Sequence, residues 1–133
     1  MEKILGKYQE QTYALMRIIA GFLLLCHGAQ KLLGLFGGVD GEGATAPLFS
    51  QYGLAGLIEL VGGLAIALGI FTGWAAFLSS GLLAVGYFMA HQPRGGLPIQ
   101  NGGELAAVYA FLFLFIASRG AGIWSLGSKF KKS

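Results

Sequence analysis

The sequence predicts an all-α membrane protein, four transmembrane helices in an antiparallel bundle with both termini cytoplasmic. Three observations lead there. Hydrophobic residues fill 55% of the 133 positions and charged ones only 11%, well below the share usual for a soluble domain. Four apolar stretches, at about 13–36, 54–71, 74–91 and 102–118, have lengths that suit membrane crossings. The basic residues Lys3, Lys7, Arg119, Lys129, Lys131 and Lys132 gather at the chain ends, whereas the two long loops hold only Arg94. By the positive-inside rule, that bias puts the ends in the cytoplasm.

The whole chain, 1–133, reads as one membrane domain. Its net charge of +3 does not form a basic patch interleaved with aromatics, so no nucleic-acid partner is expected. One cysteine, Cys26, excludes an intrachain disulfide and a CxxC redox pair. It is read as a small apolar residue in mid-span. The 23 glycines follow no fixed period, and small residues of this kind let membrane helices approach closely.

Residues 1–12, MEKILGKYQEQT, predict a turn or two of interfacial helix, with Thr12 capping the first span. A cleaved signal peptide is not expected, because the apolar run is too long, contains an arginine and lacks a small-x-small site. Span one carries Arg17, His27 and Lys31 within an arc of roughly 80° on one helix face. An unpaired Arg or Lys at mid-membrane costs about 2.5–3.5 kcal/mol, so such groups should turn into the bundle, pair, or snorkel. Arg17, near the cytoplasmic boundary, is expected to snorkel.

The next loop is solvated, and Thr45 with Pro47 predicts a short helix bearing Phe49 and Tyr52 at the interface. Span two places its one charge, Glu59, on the stripe Ala55, Glu59, Gly63, Ala67. The brief link at Thr72-Gly73 makes spans two and three an antiparallel hairpin. Pro93 ends span three after His91. Asn101 with Glu104 resembles a capping box for span four, and Arg119-Gly120 its C-cap. The pairs Gly34/Gly38 and Gly69/Gly73 are candidates for contacts between copies in a homo-oligomer.

Topology then groups the polar residues. Lys31 lies five residues from the outer end of span one and Glu59 five residues into span two, each roughly 7 Å below the rim. These two should meet. His91, Asn101 and Glu104 belong to the mouth of an outward-facing funnel, and His27 to its floor. Each member has a plainer role as well: Lys31 and Glu59 as a register-fixing ion pair, Glu104 as a helix cap.

The chain resembles the DoxX family of small four-helix membrane proteins. The resemblance rests on Arg17, Gly21, His27-Gly28 and Lys31-Leu32 in span one, and on Glu59-Leu60-Val61-Gly62-Gly63 and Gly69-Ile70-Phe71-Thr72 in span two. His91, then Asn101-Gly102-Gly103-Glu104-Leu105 with Tyr109, and the ending Gly120 to Leu126 continue it. Gly73 and Gly127 depart from the family pattern, which often has Arg and Asp there. The resemblance implies a place in the bacterial inner membrane, beside soluble or membrane redox enzymes concerned with quinones, thiosulfate and oxidative or thiol stress.

The leading functional expectation is a redox-associated subunit, non-catalytic in itself, whose pocket of His27, Lys31, Glu59, His91, Asn101 and Glu104 holds a quinone-like or other small polar molecule. Tyr87, Phe88, Tyr109 and Phe111 are candidates to line a ring site. No intrinsic cofactor is expected, since neither CxxC nor a GxGxxG fingerprint occurs. Three alternatives stand beside it: a metal or haem site built from His27, Glu59, His91 and Glu104, a small transporter or proton relay, and a scaffold without a ligand.

Overall fold

A computed structural model of the chain describes residues 1–130, so Lys131 and Lys132 of the basic tail lie outside the described residues. The chain begins with α1 (Glu2–Leu5), a 3₁₀ turn (Gly6–Tyr8) and α2 (Gln9–Leu33). After a loop come α3 (Gln51–Leu68) and α4 (Thr72–Gly86). A wider π turn (Tyr87–His91) and a 3₁₀ turn (Gln92–Arg94) lead to α5 (Pro98–Asn101) and α6 (Glu104–Arg119). Among the described residues there is no strand, only one isolated bridge between Gly38 and Ala44. The stretches Glu2–Leu33, Gln51–Leu68 and Thr72–Arg94 are long and apolar enough to cross a membrane. The 16-residue α6 is shorter.

Helix ends depart from expectation where a capping group was misplaced. Thr12 lies inside α2 and donates its hydroxyl back to the carbonyls of Tyr8 and Gln9, instead of capping the helix. No helix starts at Thr45 or Pro47. Ser50 caps α3, its hydroxyl accepting from the Gly53 amide at 3.0 Å, and Tyr52 belongs to the first turn of α3. Gly34, Gly38 and Gly69 all have positive φ and shape turns. In the first loop Asp40 accepts the amides of Glu42 and Ala44, and these bonds hold its carboxyl below the ordinary range.

Close backbone approach builds the α2–α3 pair. A methyl group added at Gly21 would lie 2.5 Å from the Ala67 amide nitrogen and 2.8 Å from the Gly63 carbonyl oxygen, and one at Gly28 2.7 Å from the Gly56 carbonyl. Contacts fall from Ala67 to Gly56 on α3 as they rise from Gly21 to Gly28 on α2, so the helices are antiparallel. Seven residues separate the glycines on each helix, the repeat that keeps one seam facing a partner. The α4–α6 pair is antiparallel too, with Ser80 bonded to the Ala110 carbonyl and Gly73 facing Ala117. Between the pairs sits a core of Tyr13, Ala20, Leu24, Ile66, Ala76, Tyr109, Phe113 and Ile116.

Arg17 overturns the snorkelling expectation. It is 0% exposed, and its guanidinium donates from Nε to the Ile66 carbonyl at 3.1 Å, from Nη1 to Ala121 and to Ile123 at 3.0 Å, and from Nη2 to Trp124 at 2.8 Å. Ile66 belongs to the last turn of α3, where carbonyls carry partial negative charge, and its oxygen is shared between the arginine and the Gly69 amide. The other three acceptors belong to the segment after α6, which folds back across the bundle end. Leu126 and Gly127 add amide bonds to the Leu68 and Gly69 carbonyls, and the Tyr13 hydroxyl donates to Gly120 at 2.7 Å.

Two outcomes test this account. Gly21→Ala and Gly28→Ala should each lower stability by about 1–3 kcal/mol through overpacking, measured by denaturant unfolding in detergent. Gly81→Ala, with open space around it, should be neutral or gain up to about 1 kcal/mol. Arg17→Met should strand the tail carbonyls, so that trypsin cuts after the exposed Arg119 many times faster than in the parent chain.

Candidate functional site

At the opposite end of the bundle, Lys31 of α2 and Glu59 of α3 form an ion pair, as their matched depths predict. The Glu59 side chain is 5% exposed and that of Lys31 14%, so both partners are largely buried, the carboxylate the more so. Gly56 makes this possible: a methyl group there would stand 2.8 Å from the Lys31 Cβ, so the lysine stem lies directly on the α3 backbone. The ammonium also sits 4.9 Å from the centre of the Tyr52 ring, a cation–π geometry. Tyr52, Gly56 and Glu59 are spaced four and three apart, one face of a helix.

Tyr52 is the member that sequence reasoning missed. Its position seven residues before Glu59 was a usable signal, obscured by assigning Tyr52 to a separate short helix. His27, one turn before Lys31 on α2, is partly buried and makes no side-chain hydrogen bond among the described residues. Cys26 beside it is free and partly buried.

His91 and Asn101 form a second cluster. His91 Nδ1 lies 3.3 Å from the Asn101 carbonyl oxygen, and its ring centre 6.2 Å from that of Tyr87. Asn101 does not cap α6. Its buried amide donates to the Tyr87 hydroxyl and the Gly95 carbonyl, and its Oδ1 accepts from the Gly103 amide. A capping box needs Asn101 to precede α6 directly, but Gly102 and Gly103 intervene, with Gly103 at the cap position. Glu104 stays exposed in the first turn of α6 without a hydrogen-bond partner among the described residues. There its charge suits the positive end of the helix dipole.

No hydrogen bond among the described residues joins the two clusters. Nor do three or more His, Cys, Asp or Glu side chains among them come together as metal ligands, so His27, Glu59, His91 and Glu104 are not gathered into one donor set. The expected ring-site aromatics are scattered: Tyr109 packs in the core at 5.5 Å from Phe113, Tyr87 serves Asn101, and Phe88 faces outward. Phe111 lines a shallow groove of about 440 Å³ on the outer surface of α4 and α6 with Phe77 and Phe115. That groove lies toward the Arg17 end.

The ion pair has a measurable signature. Lys31→Met alone leaves the Glu59 carboxylate buried without its partner and should cost about 3–5 kcal/mol in unfolding experiments. Adding Glu59→Leu should restore most of that loss, a coupling that a double-mutant cycle reads directly.

An uncharacterized protein of Haemophilus influenzae is similar to this chain, 39% identical over 133 aligned residues that cover 96% of this chain and 97% of the relative. No solved structure matches this chain. The DoxX family model matches residues 12–92, a stretch that holds Arg17, the glycine seam, Lys31, Glu59 and His91. The chain is therefore an integral membrane protein that belongs to the DoxX family.

Proposed function

We propose that the chain is a four-span subunit of a bacterial inner membrane that holds a quinone-like headgroup at its outer end while a partner enzyme supplies the electrons. The basic chain ends favour cytoplasmic termini. The fourth crossing would be α6, about 24 Å long by its rise per residue, extended by the segment before it. On this topology the Lys31–Glu59 end faces away from the cytoplasm.

The observation that carries the reading is the largely buried Lys31–Glu59 ion pair beside Tyr52. Glu59 occupies one of the three N–H donors of Lys31, which leaves the ammonium able to donate to a ring carbonyl beside Tyr52. Lys31 would pass on the proton that accompanies reduction or oxidation of such a ring, with Glu59 behind it as the carboxylate that balances its charge. His27, one turn deeper on the same helix, would supply a second polar contact. His91, Asn101 and Glu104, at the same end of the bundle, would form the rim through which a ligand arrives. The sequence has no CxxC, so electrons enter through a soluble or membrane-bound redox partner.

An azide-bearing short-chain quinone, photoactivated with the full chain in nanodiscs, tests this directly. Labelling should fall on peptides containing His27–Leu32 and Tyr52–Glu59, vanish under competition by unlabelled quinone, and weaken about tenfold in Lys31→Met, a loss of about 1.4 kcal/mol. Label that resists competition, or that gathers in the groove of Phe77 and Phe111, would overturn the reading.

A further inference from the structure

The Arg17 end of the bundle carries an aromatic collar. Phe71, Trp74 and Trp124 are all exposed there, and Phe71 and Trp124 hold positive φ, 49° and 56°, a conformation that costs a non-glycine residue about 1–3 kcal/mol. Exposed Trp and Phe at the end of a membrane bundle mark the level of the lipid headgroups. Tyr13 is the first buried residue of α2, and none of residues 1–12 is buried. The helical chain therefore runs on past the collar for up to twelve residues, roughly 18 Å.

That overhang is two-sided. Met1, Ile4, Leu5 and Tyr8, between 47 and 79% exposed, fall within an arc of about 100°, and Glu2, Lys3, Lys7 and Glu10 lie outside it. The arm is also hinged. Gly6–Tyr8 is a 3₁₀ turn, and Tyr8, at φ −111° and ψ 20°, interrupts α geometry between α1 and α2. Breaks of this kind are where a helix changes direction. The Lys7 ammonium stands 5.4 Å from the Tyr8 ring centre, next to that hinge.

We propose that residues 1–12 are a lipid-surface arm, bent at Gly6–Tyr8, with Met1, Ile4, Leu5 and Tyr8 set into the boundary between headgroups and acyl chains and Lys3 and Lys7 turned to water and phosphate. Lipid is the occupant because the apolar arc of the arm continues that of Leu15, Ile19 and Phe22, the exposed face of α2. The arm leaves the bilayer on the side of the helix that already faces acyl chains. A second copy of the chain seated on the arc is the competing occupant.

Nitroxide labels decide between them. In full-length Cys26→Ser protein, Ile4→Cys, Leu5→Cys, Tyr8→Cys, Lys3→Cys and Lys7→Cys are labelled one at a time, in nanodiscs of phosphatidylcholine and phosphatidylglycerol in equal parts. Collision with oxygen should exceed collision with a water-soluble nickel chelate at 4, 5 and 8, and the order should reverse at 3 and 7. High nickel access at all five sites would place the arm in water and overturn the proposal. Spin–spin broadening at 4, 5 and 8 without the oxygen gain would seat a second copy there and overturn it equally.

Discussion

A guanidinium closed off from solvent and held by backbone carbonyls is the constraint on which this fold depends. Among the described residues Arg17 meets no carboxylate; its four acceptors are peptide oxygens from the end of α3 and from the segment after α6. Burying a cation this way works because the last turn of α3 carries partial negative charge and the irregular segment after α6 has carbonyls free to accept. The dependence is mutual. Without the arginine those carbonyls would lose donors, and without the carbonyls the arginine would be an uncompensated charge in an apolar core. One side chain thereby ties α2, the α3–α4 hairpin and the tail into a single node.

Fixing that node fixes what lies four turns away. With α3 held at Ile66, the seam can engage in one register, Gly21 against Gly63 and Ala67, Gly28 against Gly56 and Leu60. Because small residues let the backbones touch, the Lys31 stem is laid on Gly56 and its ammonium arrives beside Glu59. A bulkier seam would push α2 outward and open the pair to lipid, where a separated carboxylate and ammonium are costly. The ion pair is thus a consequence of glycine packing as much as of opposite charge.

What could be counted along the chain was legible in the sequence. Rise per residue set Lys31 and Glu59 at equal depth, and a short link required a hairpin; both agree with the geometry, although the link is Gly69 to Phe71 and Thr72-Gly73 already belongs to α4. Acceptors supplied by the backbone were not legible. Arg17 looked unpaired because Ala121, Ile123 and Trp124 offer only carbonyls, and residue identity says nothing of where a carbonyl points. The same holds for Asn101, whose amide serves the Tyr87 hydroxyl, the Gly95 carbonyl and the Gly103 amide across a turn. Caps failed for a related reason: Thr12 and Ser50 both have capping hydroxyls, and the extended backbone of Ser50 decided which one acts. Hydrogen bonds join Lys31 with Glu59 and His91 with Asn101, while His27 and Glu104 enter neither group among the described residues.

The two cations on α2 divide the labour according to their chemistry. Arg17 and Lys31 are fourteen residues apart, about 21 Å of helix, on nearly the same face. A planar guanidinium offers five fixed donors and stays charged in any environment, which suits a node of carbonyls that must never let go. An ammonium is a compact charge on a flexible stem with three rotatable donors, and it can exchange one acceptor for another. Four of the arginine donors are already spent on backbone, so its end of the bundle has little left to offer a ligand. At the lysine end one donor is spent and the partner is a carboxylate able to carry a proton. Interchanging the two residues would leave the tail short of donors and replace an exchangeable contact with a rigid one, so the order of Arg then Lys along α2 puts a fixed carbonyl node at one end of the bundle and an exchangeable ion pair at the other.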